Sequence, residues 1–245
     1  MKWKTFPMCL AWARSVTPTV LHLAFRRDDG LPFEFSAGQF INLHWERDGE
    51  LTHRRYSVAI PPGVSDLIEI AAAPVEGGFA TERLFALQPG DPILASGPYG
   101  RFVLKEDPPC RYVLAATGTG VTPYRSMLPE IKALLEAGEH TVDLLLGVRR
   151  PEELLYGEEF RAFSEAHERF SFSACYSRDL PDAPADWEHR GYLQHRFEHL
   201  ALDPASDIVY LCGNPGMIDE AFALLKDAGF GIRQIRREKY LSARR

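Results

Sequence analysis

The 245-residue chain predicts two successive architectures, a six-stranded antiparallel β-barrel and then a five-stranded parallel α/β sheet. Three observations predict them. Apolar and polar residues alternate with period two through roughly the first hundred positions, with turn signals between the runs. After about residue 110 the pattern changes to strand-like runs separated by helical ones. A glycine-rich turn, Gly118-Thr119-Gly120-Val121-Thr122-Pro123, joins the first of those runs to the first helix.

In the first part, Thr19–Phe25, Gln39–Trp45 and Asp66–Ile70 alternate as half-buried strands. Asp28-Asp29-Gly30, Ser36-Ala37-Gly38, Pro61-Pro62-Gly63 and Gln88-Pro89-Gly90-Asp91 punctuate them. One helix is expected from Thr81 to Leu87, entered through Gly77-Gly78. The joint Lys105-Glu106-Asp107-Pro108-Pro109 marks a domain boundary, giving domains 1–107 and 108–245, the second with a C-terminal tail. In the second domain, strands are expected at 111–116, 141–148, 170–176, 207–212 and 232–238. Helices are expected at 123–137, 157–167, 194–200 and 215–228. A barrel followed by such a sheet is expected to leave a cleft, with ligands beyond the carboxyl ends of the strands.

The glycine turn follows Arg111-Tyr112-Val113-Leu114. Its glycines let the chain bend and let an anion approach peptide N–H groups at a helix start, where the backbone dipole is positive. Pro123 falls in the first helical turn, where a missing donor costs nothing. Taken alone, the segment suits a diphosphate cradle better than a plain tight turn.

Composition excludes several classes. Hydrophobic content is 45% and charged content 25%, ordinary for a globular enzyme. No apolar run approaches the roughly 18 residues of a membrane span. The first residues lack a secretory apolar core, so a cytoplasmic location is expected. Cys9, Cys110, Cys175 and Cys212 show no C-x-x-C spacing, which supports neither zinc nor iron–sulfur binding. His195 and His199, at i and i+4, lack a third ligand and read as surface residues; no metal is expected. The net charge of −6 gives no basis for a nucleic-acid partner. Near the C-terminus, Arg233, Arg236, Arg237, Lys239, Arg244 and Arg245 face only Glu238. This basic stretch is either a solvated terminus or a surface that steers an acidic protein partner.

Two more segments carry chemistry. In His53-Arg54-Arg55-Tyr56-Ser57-Val58-Ala59, a strand directs Arg54 and Tyr56 to one face and Arg55 and Ser57 to the other. A guanidinium beside a phenol can bind phosphate while the ring covers a flat cofactor. The same segment also suits an edge strand with exposed charges. In Gly77-Gly78-Phe79-Ala80-Thr81, the glycines admit close approach, and Thr81 either caps a helix or meets a phosphate oxygen.

In this order the pieces resemble the ferredoxin–NADP⁺ reductase superfamily. The resemblance rests on Arg54-Arg55-Tyr56-Ser57 (R-x-Y-S), Gly78-Phe79-Ala80-Thr81, Gly97-Pro98-Tyr99-Gly100-Arg101-Phe102, Gly118–Pro123 and Cys212-Gly213-Asn214-Pro215-Gly216-Met217. It spans nearly the whole chain and looks most like the compact bacterial ferredoxin (flavodoxin) reductases. It implies an FAD-binding barrel, a Rossmann-like NADP-binding domain, and hydride transfer between nicotinamide C4 and flavin N5.

The resemblance also implies roles. Arg54 would bind a flavin phosphate, Tyr56 would stack on the isoalloxazine and Ser57 would hydrogen-bond near N5. Gly78, Ala80 and Thr81 would cradle the FAD diphosphate. Gly118, Thr119, Gly120 and Pro123 would hold the pyridine nucleotide diphosphate. Cys212 and Gly213 would lie beside the nicotinamide, and Glu238 is the candidate proton relay. Ser177-Arg178 resembles the Ser-Arg pair of NADPH-specific members, and Arg149 and Arg150 occupy a position associated with the same 2′-phosphate. Tyr240 is either a ring that shields the flavin or the last core aromatic of a strand; Leu241–Arg245 extend beyond it. The expected activity moves electrons between NADP(H) and an acidic ferredoxin or flavodoxin, by a monomer. The alternatives are an NADH-linked reductase component of an oxygenase, a free-flavin reductase, or an electron-transfer subunit of a larger complex.

Overall fold

A computed structural model describes residues 3–240. The extension 241–245, with Arg244 and Arg245, lies outside the described residues. The chain divides into two compact units. Among the described residues, the first comprises 3–104 together with Thr122–Leu128, and the second comprises Lys105–Val121 and 129–240.

The first unit holds six strands: β1 (Phe6–Ser15), β2 (Leu21–Arg27), β3 (Phe40–Arg47), β4 (Glu50–Ser57), β5 (Ile68–Ala72) and β6 (Pro92–Tyr99). They pair antiparallel in the order β4-β3-β6-β1-β2-β5. The sheet curls until its edges meet. Val58 bridges Ile70, and the Ala59 N–H donates to the Glu69 carbonyl at 2.7 Å. Closure removes the exposed edges that an open sheet would present. Alternation then fills the interior: Phe6, Met8 and Leu10 of β1 point inward with Leu23, Phe25, Ile41 and Leu43. The helix α1 spans Phe79–Ala86, starting two residues before the expected position. It adds Ala80 and Leu84 to this core.

The second unit is a parallel sheet of β7 (Arg111–Thr117), β8 (Thr141–Val148), β9 (Phe170–Tyr176), β10 (Glu188–Arg190), β11 (Asp207–Gly213) and β12 (Ile235–Lys239). Its order is β10-β9-β8-β7-β11-β12, six strands where five were expected. The additional strand is the three-residue β10, too short and polar to show a period. The inner strands read as continuous apolar runs because both faces are covered.

The expected helix 123–137 is interrupted. A 3₁₀ turn covers Gly118–Val121, then come α2 (Thr122–Ser126) and α3 (Leu128–Glu136). Pro129 cannot donate to the carbonyl of Arg125, and its ring crowds that carbonyl, so the helix breaks there. The helix α4 (Gly157–Ala166) matches expectation. The expected helix at 194–200 is instead a 3₁₀ turn, Leu193–Phe197, so His199 does not continue a helical face with His195. The final helix, α5 (Pro215–Asp227), is capped by Asn214, whose Oδ1 accepts from the N–H groups of Gly216 (2.8 Å) and Met217 (3.3 Å). β12 starts at Ile235, after the expected 232, because Ile232–Gln234 forms a 3₁₀ turn. The Gln234 side chain holds that turn by accepting from Gly231 N–H at 2.9 Å.

Charged groups are also tied down inside this unit. Asp107 grips Arg236 through both oxygens, at 2.5 and 2.6 Å, and accepts the Tyr112 hydroxyl at 2.9 Å. Arg236 also donates to the Tyr210 hydroxyl and lies over its ring. Burial would raise the Asp107 pKa, but hydrogen bonds from Arg236 and Tyr112 outweigh it and hold the carboxyl below the usual range. A depressed pKa stabilises the fold above the unfolded carboxyl's pKa and is lost as pH falls through the folded value. Asp107→Asn is therefore expected to cost about 2–3 kcal/mol at neutral pH, since it leaves Arg236 poorly compensated. Urea unfolding of both proteins should show that deficit narrowing below about pH 4.

Candidate functional site

In the barrel unit, β4 pairs with β3 so that Tyr56 lies opposite Ile41 and Arg54 opposite Leu43. Both partners are core residues, so Arg54 and Tyr56 belong to the inward face, and Arg55 and Ser57 to the other. Arg54 is half-buried and donates from one guanidinium nitrogen to the His53 carbonyl at 2.7 Å. Burial pushes the Tyr56 phenol up to about 12, against the opposing pull of Arg54, so it is a neutral ring at any physiological pH. Arg55 lies over the Phe40 ring at 5.3 Å, and Ser57 is buried. The predicted alternation of this motif is what the strand shows.

The loop before α1 is built around Gly78. A Cβ there would meet Thr81 Oγ1 at 2.6 Å and the Val75 carbonyl at 2.7 Å. Thr81 neither caps the helix nor offers a free hydroxyl. It is the third helical residue, and its Oγ1 donates to the Gly78 carbonyl at 2.9 Å and contacts Val75 at 3.3 Å. Ala80 is buried as well. No side chain caps α1 at Gly78, so the N–H groups of its first turn, rather than the Thr81 hydroxyl, are the donors an anion could use here. These features fit a bound dinucleotide phosphate. A cavity of about 540 Å³ in the same unit is lined by the C-terminal half of α1 (Arg83, Ala86, Leu87) and contains none of the predicted residues.

In the α/β unit, chain order reverses between β7 and β11, since β8 and β9 extend to one side of β7 and β11 to the other. Ligands bind at the carboxyl ends of strands at such a reversal. Gly118 and Thr119 are half-buried there, and a Cβ on Gly118 (φ +52°) would project into open space. That space fits a nucleotide phosphate. Gly120 has a different job: its Cβ would lie 2.5 Å from the Cys212 carbonyl oxygen. Pro123, which belongs with Thr122–Leu128 to the first unit, is buried. Gly213 has φ +119°, and a Cβ would meet Thr117 Oγ1 at 2.5 Å.

Cys212 lies opposite Glu238 in the β11–β12 register. Its thiol is fully buried; that burial, with Glu238 nearby, drives its pKa well up, and a hydrogen bond from Tyr240 only partly opposes the shift. Three predicted residues thus converge at one strand end, and Cys212 there is a neutral, packed thiol. Tyr240 is half-buried, and its N–H donates to the Gly213 carbonyl at 2.8 Å.

The ends of β8, β9 and β10 collect arginines. Ser177 donates its N–H to the Val148 carbonyl and Arg178 its N–H to the Arg149 carbonyl, both at 3.0 Å. Arg149 is clasped by Glu153, at 3.0 Å from Nε and 2.7 Å from a terminal nitrogen. Arg150 pairs with Asp179 at 3.0 Å, and Arg190 donates to the Arg178 carbonyl at 3.3 Å. The exposed Arg178 side chain makes no ion pair among the described residues. Arg190 and Glu153 escape a reading of the chain alone, although the i, i+4 spacing of Arg149 and Glu153 was a usable signal. The basic stretch near the C-terminus also needs correction: Arg236 turns inward to Asp107, and Lys239 pairs with Asp219 at 2.5 Å.

No group of three or more His, Cys, Asp or Glu side chains suited to a metal occurs among the described residues. No helix there is long and apolar enough to cross a membrane.

The chain matches the oxidoreductase FAD-binding domain over residues 10–104 and the oxidoreductase NAD-binding domain over residues 114–222. It is 35% identical over 235 residues to ferredoxin–NADP reductase B of Sorangium cellulosum, covering 92% of this chain and 91% of that one. It is 31% identical to the reductase component of a phenol 2-monooxygenase from Pseudomonas sp. strain CF600, spanning 93% of this chain but 63% of that relative. A ferredoxin NADP⁺ reductase from Neisseria gonorrhoeae, solved with bound FAD and NADP, superposes with a TM-score of 0.83 at 26% identity, over 98% of this chain and 100% of that one. Fold and site together define a flavin- and nicotinamide-nucleotide-dependent oxidoreductase. The chain belongs to the ferredoxin–NADP reductase family.

Thiol exposure follows from the same geometry. Cys9 and Cys110 are half-exposed, whereas Cys175 and Cys212 are buried, and burial raises the Cys175 thiol to about 12. A water-soluble disulfide reagent should modify two thiols in the folded protein and the other two only on unfolding. Rapid native labelling of Cys212, read by peptide mass, would show that this thiol is not packed as described.

Proposed function

We propose that the chain transfers electrons between NADP(H) and a small one-electron carrier, ferredoxin or flavodoxin, with FAD held by residues 1–107 and the nucleotide by residues 108–245. The observation that carries NADP(H) over NAD(H) is the group of arginines at the ends of β8, β9 and β10, with Arg178 unpaired among the described residues. A 2′-phosphate seeks such donors, whereas an NAD site offers the ribose a carboxylate. Here Asp179 is engaged by Arg150 instead.

The chemistry that a bound flavin supplies is the exchange of a two-electron hydride for single electrons. The protein's part is binding and orientation. Arg54 supplies charge-assisted hydrogen bonds to a flavin phosphate, while the first-turn N–H groups of α1, from Phe79 to Thr81, hold the diphosphate beside Gly78, whose own N–H is given to the Val75 carbonyl. The neutral Tyr56 ring packs on the isoalloxazine, and Ser57 Oγ serves the ring nitrogen. Gly118 and Thr119 admit the nucleotide diphosphate, and Gly213, packed on Thr117 where no Cβ fits, sets the strand end beside which the nicotinamide lies. The Glu238 carboxyl is the proton reservoir. Arg149, Ser177 and Arg178 receive the 2′-phosphate. Tyr240, held at the end of β12, shields the flavin in the resting enzyme. The protein acts in the cytoplasm as a monomer, on an acidic carrier. The likeness to an oxygenase reductase component favours one competing reading, an NADH-linked supplier of electrons to an oxygenase.

Anaerobic titration of the purified yellow protein, followed by visible absorbance, separates these readings. NADPH is expected to bleach the flavin at far lower concentration than NADH. Arg178→Ala should cost about 2–3 kcal/mol with NADPH and little with NADH, as for loss of a charge-assisted bond. Equal losses with both nucleotides would remove Arg178 from the site. Arg54→Ala should lose flavin during purification, measured as flavin per protein; full retention would contradict its phosphate role.

A further inference from the structure

The arginines at the ends of β8 to β10 are not equally available to an anion. Arg149 is held on three donors by one carboxylate: Glu153 accepts from its backbone N–H at 3.2 Å, from Nε at 3.0 Å and from a terminal nitrogen at 2.7 Å. This two-pronged arrangement occupies the Nε edge of the guanidinium, one of the two edges on which a phosphate can dock. Its rigidity has a structural source. Pro151–Glu153 forms a 3₁₀ turn directly after β8, with the Glu153 N–H bonded to the Arg150 carbonyl at 3.1 Å. The Glu153 side chain is mostly covered, whereas the Arg149 side chain is more than half exposed. The carboxylate is therefore the fixed partner, and it is oriented before any ligand arrives.

We infer that Glu153 is a specificity-determining residue, an internal counterion that competes with the nucleotide 2′-phosphate for Arg149 and limits the preference for phosphorylated nucleotide. This rests on the assignment of the arginine group as the 2′-phosphate site. A dianionic phosphate entering beside Arg178 meets two costs at Arg149, displacement of a bidentate partner and repulsion by the carboxylate it displaces. Neutralising Glu153 while keeping its shape removes both. A nucleotide without the 2′-phosphate never reaches this pair and gains nothing.

The test uses the flavin-loaded protein and two probes, 2′,5′-ADP and 5′-ADP, titrated by calorimetry at low and high salt. Glu153→Gln should tighten 2′,5′-ADP about threefold at low salt, in line with a half-exposed ion pair, and leave 5′-ADP where it was. The gain should shrink at 0.5 M salt, where screening shortens electrostatic reach. Combining it with Arg149→Ala should erase the gain, because no guanidinium is left to release. An unchanged or weaker 2′,5′-ADP affinity in Glu153→Gln, with discrimination intact in the parent protein, overturns the role of Glu153 alone. A parent protein that binds both probes equally overturns the 2′-phosphate assignment and this inference with it.

Discussion

The α/β unit depends on one close approach, where the backbone after β7 lies against the end of β11. Gly120 packs on the Cys212 carbonyl and Gly213 packs on Thr117, at separations that no Cβ permits. Two segments take their positions from it. Thr117 Oγ1 accepts the Asn214 N–H at 2.9 Å, and the Asn214 side chain in turn caps α5. The Gly213 carbonyl receives Tyr240, which fixes the end of β12. The contact thus fixes the carboxyl ends of β7 and β11 through two positions where a Cβ would collide with backbone or with Thr117. That separates two roles that one glycine-rich motif usually blurs: Gly118 leaves space, and Gly120 removes a collision.

Charge in this unit is sorted by burial. Arg236 is withdrawn into a pair with Asp107 and Tyr210, while the arginines following β8 and β9 stay near water. The inward pair carries structure, because a guanidinium drawn away from solvent needs the carboxylate and hydroxyl that Asp107 and Tyr210 supply to its terminal nitrogens. The outward group stays exchangeable, because an exposed guanidinium can swap its partner at small cost. Glu153 and Asp179 moderate that group, so its net pull on an anion is smaller than a count of arginines suggests. In the barrel the same logic runs through apolar closure. Val58 and Ala59 complete the sheet beside β5, so the motif Arg54–Ser57 lies on a strand that cannot splay.

Much of this was legible in the chain. Period-two alternation marked the barrel strands, and alternation also assigned Arg54 and Tyr56 to a common face. Apolar runs marked β7, β8 and β11, and the alternation Phe170-Ser171-Phe172-Ser173 marked β9, nearly to the residue. Pro129 was a visible breaker inside the expected helix at 123–137, and the local rule against proline in a helix interior was the stronger signal. β10 was not legible, since Glu188-His189-Arg190 is a strand only because β9 offers it an edge.

By itself the sequence determined the order of elements, the two kinds of sheet and the residue types at each anion-facing turn, because periodicity and glycine placement act over a few neighbouring positions. Only the tertiary structure decided which groups are already spent. Thr81 gives its hydroxyl to its own loop, Arg236 faces inward, Cys212 is sealed and Arg149 is clasped by Glu153. The reason is physical: availability of a donor or a thiol depends on burial and on partners, and for Arg236 and Cys212 those partners stand far away in the chain.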